Sequence, residues 1–303
     1  MKKSLAIIIP AYKSTFLAAT LDSIAAQTCK DFTLYIGDDC SPYDIGAIVE
    51  RYRDKINLVY RRFDDNLGGQ NLVAQWERCI EMTQDEPWLW LFSDDDELSP
   101  TCVEDFYKSL DKTMAKYDIY HFDVNVIDEG SKIIKYPKPY PRTIDSYTYY
   151  KRKMRGELMS LVVENIFSRE IYNLTEGFQN FDLAWGSDTA TWMKFAQRSG
   201  IYTIPSDSRV LWRTSSQNIS PDNSLPIAIR KTDALVDFYK WVREFMKDHN
   251  QMEFYVSYRS FISRMRMFRK HIPQHQLRKC VSRFCSIYNM SWGKTITTFL
   301  IKL

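Results

Sequence analysis

The run from Trp88 to Phe92, WLWLF, is apolar at every position. A strand with one face in water alternates apolar and polar residues, so an unbroken apolar run belongs in the middle of a sheet covered on both faces. Directly after it come Ser93, Asp94, Asp95, Asp96 and Glu97. In a layered α/β fold the strand is the buried support, and the acids emerge at the rim beyond its carboxyl end, where open sheets of this class meet their ligands. Bunched carboxylates raise one another's pKa unless a cation compensates, which points to a divalent metal with oxygen ligands. The alternative is a solvated acidic turn capping a helix over 100–114.

The first 100 residues repeat the same theme. LAIIIP, FTLYIG and INLVYRRF read as further strands. Between them, Leu17, Leu21 and Ile24 recur at helical spacing after a Ser14-Thr15 cap signal, and DIGAIVERYR and QNLVAQWERCIEM also read as helices. Strands alternating with helices predict a parallel sheet with crossover connections. From 117 to 137 the pattern predicts two strands joined by a turn at Glu129-Gly130, so the later sheet is expected to be mixed. A helix is expected over 187–198, a strand at RVLWR, and three amphipathic helices over 227–249, 252–270 and 274–290.

At 303 residues and 45% hydrophobic, the chain can bury a large core. Its net charge of +3 hides an asymmetry: residues 225–303 hold 15 Lys or Arg against 5 Asp or Glu, so the body before them is acidic. An acidic front half argues against nucleic acid as a partner, whereas basic helices carrying Phe, Trp, Tyr and Met suit an anionic bilayer surface, another subunit or the catalytic body itself. Six scattered cysteines without a CxxC pair indicate neither a zinc site nor a disulfide framework, and a cytoplasmic setting is expected. The opening MKKSLAIIIPAY has too short an apolar run before Pro10 for a signal peptide, and no stretch approaches the length of a membrane span.

Two strand ends are acidic, Asp38-Asp39 as well as Asp94–Asp96, and a third ends at Pro10-Ala11-Tyr12. Taken alone, Asp38 and Asp39 read as an Asp-Ser-Pro turn. Asp188 opens a predicted helix in AWGSDTATWMKFAQRSG, where it is either a helix-start charge favoured by the dipole or a carboxylate doing chemistry. Arg213, at the end of RVLWR, is either a surface arginine or a phosphate contact, since guanidinium forms forked bonds to phosphate.

In order and spacing these residues resemble the family 2 glycosyltransferases. The resemblance covers about 1–224: Pro10-Ala11-Tyr12, Gln27-Thr28, DDCS at 38–41, NLGG at 66–69 and SDDDELSP at 93–100. Cys40 stands where the family has glycine, Ser93 replaces the first acid of its Asp-x-Asp motif, VAQWERCI replaces its Ala-Arg-Asn, and Ser187 replaces the glutamate before the catalytic aspartate. The absent Ala-Arg-Asn weakens any assignment of Gln75 or Arg78 to the donor.

The resemblance implies an α/β GT-A fold, Rossmann-like, with a mixed, mainly parallel sheet flanked by helices and a C-terminal helical extension. A catalytic domain is expected over 1–224, with a nucleotide-binding half over 1–115 and an acceptor half over 116–224, followed by the basic helical tail over 225–303. It implies a nucleotide-sugar donor, most commonly a uridine diphosphate sugar, held by Pro10, Ala11, Tyr12, Asp39, Asn66, Asp94 and Arg213, with Mn²⁺ or Mg²⁺ on Asp95 and Asp188 as the base of an inverting transfer. The acceptor would be a saccharide or lipid-linked saccharide in polysaccharide or glycolipid synthesis, with peripheral contact at the inner face of an anionic membrane. Ser93, Ser187 and Cys40 keep open a second class of function, a sugar-nucleotide or glycan binding module without chemistry.

Overall fold

A computed structural model of the chain describes residues 4–216, 222–247 and 250–290. The expected first-half strands form as β1 (Leu5–Ala11), β2 (Phe32–Asp38), β3 (Leu58–Arg62) and β4 (Trp88–Leu91), separated by α1 (Leu17–Ala25), α2 (Ile45–Glu50) and α3 (Leu72–Ile80). Asp44 and Asn71 cap α2 and α3 through their side chains, whereas α1 starts at Phe16 with no side-chain cap, so the Ser14-Thr15 signal does not cap it. After β4 come β5 (Glu97–Leu98), α4 (Cys102–Lys112), β6 (Ile119–His121), β7 (Val124–Ile127), β8 (Ile133–Lys135), β9 (Thr143–Ile144) and α5 (Ser146–Met154). The chain continues through β10 (Asn165–Ser168), α6 (Arg169–Leu174), a 3₁₀ turn at Asp182–Ala184, α7 (Ser187–Phe195), β11 (Ile201–Thr203) and β12 (Val210–Arg213). It closes with α8 (Leu225–Phe245), α9 (Asn250–Phe268) and α10 (Gln274–Ile287).

The main sheet has the order β3-β2-β1-β4-β10-β6-β11-β9. β1 to β4 are parallel, β10 runs antiparallel to both β4 and β6, and β11 is parallel to β6. The carboxyl ends of β1, β2, β4, β6 and β11 therefore share one rim. A second sheet, β5-β12-β7-β8, lies beyond that rim, and its β5 follows the acids at once. The first of the two strands expected within 117–137, the one before the turn at Glu129-Gly130, is broken at Phe122-Asp123: β6 stays in the main sheet while β7 enters the second and turns back through 128–132 to β8.

β4 occupies the central position its composition demands. Leu89 and Leu91 face a core shared with α3, α5 and α7, while Trp88 and Trp90 face the opposite core, shared with α1, α2 and α4. Burying each such side chain contributes about 1.5–3 kcal/mol. The helices after residue 225 share the first of these cores: Leu235 and Phe238 of α8, Phe261 and Met265 of α9 and Phe284 of α10 belong to it. Phe261 and Phe284 stack at 4.1 Å, and Tyr150 of α5 bonds to Ser257 of α9 at 2.5 Å. Most of the apolar surface of the described tail helices is thus spent on the protein itself. The stretch 291–303 lies outside the described residues.

Candidate active site

Asp39 closes the first half of the site. Its Oδ1 accepts the Leu67 N–H and Oδ2 the Gly68 N–H, both at 2.8 Å, so the NLGG loop is folded directly onto the end of β2. Gly68 is required there, because a Cβ would stand 2.6 Å from Asp39 Oδ2. Asn66 turns the same loop by accepting the Gly69 N–H at 2.7 Å. Burial pushes the Asp39 carboxyl above its ordinary range, against the two loop N–H groups and the Arg78 guanidinium, which donates to Asp39 Oδ1 at 2.7 Å. Arg78 also holds Asp65 and Gln75 and lies over the Phe63 ring, so the segment that departs from Ala-Arg-Asn still sends a cation to Asp39.

Asp38 is structural. Fully buried, it accepts from the Ser41 N–H, Tyr60 hydroxyl and Arg62 guanidinium at 2.7–2.8 Å. Cys40 has φ +52°, a left-handed conformation that glycine adopts freely and a side chain does not, which is the physical meaning of the family's glycine. The end of β1 is tied to this turn: Asp39 N–H donates to Ala11 and Ser41 Oγ donates to the Tyr12 carbonyl. Pro10 and Ala11 are thereby held against the turn, and the Tyr12 ring remains 41% exposed above them.

The acids after β4 are buried and individually engaged. Asp94 Oδ2 accepts the N–H groups of Tyr12 at 2.8 Å and Lys13 at 2.7 Å, so it fixes the segment that follows β1. Its pKa is raised by burial, with Asp95 adding and Lys13 opposing. Asp95 is paired with the Lys13 ammonium on Oδ2 and bonded by Ser93 Oγ on Oδ1 at 2.8 Å. Asp96 accepts the Arg213 N–H on Oδ1, and its Oδ2 lies 2.7 Å from the same Ser93 hydroxyl. A hydroxyl has one hydrogen, so bonding two carboxylates requires a proton on one of them. Burial and then the neighbouring Asp95 push the Asp96 carboxyl up to about 8. Ser93, in place of an acid, bridges Asp95 and Asp96 through its hydroxyl.

Arg213 stands elsewhere than the sequence reading expects. Its side chain is completely buried, with Nε donating to the Asp95 carbonyl at 2.8 Å and Nη1 to the Asp128 carbonyl at 2.7 Å. Nη2 reaches Ser131 Oγ at 3.1 Å and pairs with Glu97, and the guanidinium lies over Phe16. It locks the acid turn to the β7–β8 connection rather than offering its fork to a donor. The segment that follows Arg213 is described only through residue 216 before it resumes at 222.

Asp188 sits in the first turn of α7, half-buried, and its Oδ1 accepts from Thr189 Oγ1 at 3.3 Å. Ser187 does not stand in for a carboxylate; its hydroxyl accepts the Phe181 N–H at 2.9 Å. Lys153 lies within electrostatic reach of Asp188, and burial lowers the lysine pKa against the pull of Asp188 and Glu164. Asp182, the other acid of this region, is taken up by Arg230 at 2.6 and 2.9 Å. Two tryptophans that sequence reasoning passed over tie α7 to the acidic strand. Trp192 Nε1 donates to the Leu161 carbonyl and Trp90 Nε1 to the Val163 carbonyl, both at 2.7 Å, so one short segment is gripped from α7 and from β4. Spacing carries no sign of this, because the indole of a core tryptophan reads as core.

Residues 6–172, more than half of the chain, match the family model described as glycosyl transferase family 2. The chain belongs to this family. A glycosyltransferase of Rickettsia typhi is 25% identical over 303 aligned residues, spanning 92% of this chain and 87% of the relative. The poly(ribitol-phosphate) β-N-acetylglucosaminyltransferase TarS of Staphylococcus aureus is 31% identical over 125 residues, which are 40% of this chain and 20% of TarS. Among solved structures, residues 1–349 of TarS in complex with UDP-GlcNAc superpose with a TM-score of 0.61 at 14% identity, covering 98% of this chain and 92% of that one. GalNAc-T7 with UDP, GalNAc and Mn²⁺ gives 0.57 at 12% identity, covering 98% of this chain and 56% of that one. The architecture is that of the GT-A glycosyltransferases, a mainly parallel sheet flanked by helices, as the family 2 resemblance implies.

Proposed function

We propose that the protein transfers a sugar, with inversion, from a nucleoside diphosphate sugar to a hydroxyl of a saccharide or lipid-linked acceptor, as in polysaccharide or glycolipid synthesis. The observation that carries this reading is the convergence of Asp39, the Asn66 loop, Asp94 and Asp95 on one rim through direct contacts. A uridine diphosphate sugar is the favoured donor, since a neighbour in fold is a complex with UDP-GlcNAc. In this reading Pro10, Ala11 and Tyr12 meet the base, with the exposed Tyr12 ring as a stacking face; Asp39 and Asn66 hold the loop beside it, and Asp94 shapes the segment under the ribose.

Among the described residues no group of three or more His, Cys, Asp or Glu stands ready to surround a metal. The hard carboxylate oxygens at the site still suit Mg²⁺ or Mn²⁺ through Asp95, with the remaining positions left to phosphate oxygens and water. Such an ion, when bound, acts as a Lewis acid that neutralises charge on the leaving diphosphate. Asp188 takes the proton of the acceptor hydroxyl as that oxygen attacks the anomeric carbon.

Membrane contact is part of the proposal, on a specific observation. Residues 254–290 contain no Asp or Glu, and Arg259, Arg266, Arg269, Lys270 and Arg278 are exposed there beside Met267 and Tyr255. No helix among the described residues is long and apolar enough to cross a membrane. Because most of the apolar surface of these described helices is buried, their contact with an anionic bilayer at the inner face of a cytoplasmic membrane would be mainly electrostatic.

The test is Asp188→Asn, which preserves shape and removes basicity. UDP release from a panel of UDP-sugars should fall by roughly 10²–10⁴ in kcat, with donor KM little changed. Turnover at the wild-type rate would return Asp188 to a helix-start charge, and absence of turnover in the wild type with every sugar and acceptor tried would favour the binding module.

A further inference from the structure

The carboxylates after β4 already hold a cation, and it is the protein's own. Lys13 follows β1, and its backbone N–H is fixed by Asp94 at 2.7 Å, so the root of the side chain cannot drift from the site. From there the stem reaches across, placing the ammonium against Asp95 Oδ2 and 3.4 Å from Asp94 Oδ1. The other Asp95 oxygen is taken by the Ser93 hydroxyl at 2.8 Å. Both oxygens of Asp95 therefore carry a contact, a divalent ion at Oδ2 would have to displace or be repelled by the ammonium, and the acid that the family carries at position 93 is absent. The Lys13 side chain is 28% exposed against 9% for Asp95, so the ammonium lies on the solvent side of the pair, where an incoming ligand meets it first. Lysine suits a movable charge, being a compact ammonium on a flexible four-carbon stem rather than a rigid fork.

We infer that Lys13 is a built-in counter-ion of the donor site, one that keeps Asp95 from binding a divalent metal until a diphosphate arrives and then passes its ammonium to the phosphate oxygens. This rests on the nucleotide-sugar reading. A diphosphate carries more negative charge than one carboxylate and its oxygens are strong acceptors, so it competes for the ammonium where water does not. Release of Lys13 frees Asp95 Oδ2 at the moment the phosphate oxygens become available as further metal ligands. Metal and nucleotide then favour each other's binding, and because linkage is reciprocal the same factor is read from either side.

The experiment measures Mn²⁺ alone by electron paramagnetic resonance and UDP in EDTA by calorimetry, on the full chain. Lys13→Met should bind Mn²⁺ without nucleotide at least about 10-fold more tightly than the wild type and UDP in EDTA at least about 10-fold more weakly, one charge-assisted contact being removed as a competitor in the first case and as a ligand contact in the second. Lys13→Arg keeps the charge and should stay near the wild type in both, and adding Asp95→Asn to Lys13→Met should abolish the tightened Mn²⁺ binding. Thermal melting of each variant shows whether it is folded, and Lys13→Gln replaces Lys13→Met if that variant is not. Unchanged Mn²⁺ affinity in the neutral variant, or Lys13→Arg behaving like it, overturns the guarding role. Unchanged UDP affinity in EDTA overturns the transfer to phosphate. If the wild type binds no UDP under any condition, the donor reading and the transfer fall together, while the Mn²⁺ comparison still decides whether Lys13 guards Asp95.

Discussion

Arg213→Met separates two roles that the sequence leaves open for this residue. The side chain is completely buried, and methionine can keep its contact with Phe16 while losing every donor. The Asp95, Asp128 and Glu129 carbonyls then lose partners at 2.8, 2.7 and 3.2 Å, and the Glu97 carboxylate loses its cation. Breaking a buried ion pair from one side typically costs about 3–5 kcal/mol, because the remaining charge is left without compensation. Glu97 is 16% exposed, so water recovers part of this and the low end applies, about 3 kcal/mol. For a chain of this size each kcal/mol shifts Tm by about 2 °C, so scanning calorimetry should show a fall of about 6 °C. Arg213→Lys should lie between, since an ammonium cannot reproduce the fork. UDP affinity should drop as well, but only in step with the loosened acid turn. An unchanged Tm with sharply weakened UDP binding would refute the reasoning and return Arg213 to the diphosphate.

Two further outcomes are expected. The Asp118 carboxyl is worked upward by burial and more strongly downward by the Arg198 guanidinium and the Ser199 and Ser168 hydroxyls, so it titrates below its ordinary value. A folded pKa below the unfolded one stabilises above about pH 4 and loses that contribution as pH falls through the folded value, so Asp118→Asn should flatten the acid limb of a urea-midpoint-against-pH curve; an unchanged limb would show that the pair contributes nothing. Reversing Arg259, Arg269 and Lys270 to Glu should abolish sedimentation with phosphatidylglycerol vesicles in low salt, each basic residue near the surface contributing about 1 kcal/mol, whereas equal binding of the wild type to neutral vesicles would remove the electrostatic argument.

Much of the scaffold is legible in the sequence because it depends on local periodicity. The apolar run WLWLF demands a central strand, and β4 lies between β1 and β10 with both faces buried. The acids belong at a strand end, and the parallel order of β1, β2 and β4 then brings the ends at Tyr12, Asp39 and Asp94 onto one rim. The three C-terminal helices follow from their amphipathic spacing. What periodicity cannot express is which side chain meets which. The break at Phe122-Asp123 sends one apolar run into two sheets, a choice made by pairing partners far away in the chain. Lys13 reaches Asp95 across 82 positions and Arg213 reaches the same residue's carbonyl across 118, so neither a guarding cation nor a buried lock could be told from a surface lysine and a strand-end arginine. The basic helices carry the same limit: their apolar stripes state that something must cover them, and only the packed core decides that it is the protein itself, leaving Arg259, Arg266, Arg269, Lys270 and Arg278 outside. Local pattern sets which elements form and which faces seek burial; long-range packing alone sets the distances between charges on which binding and catalysis depend.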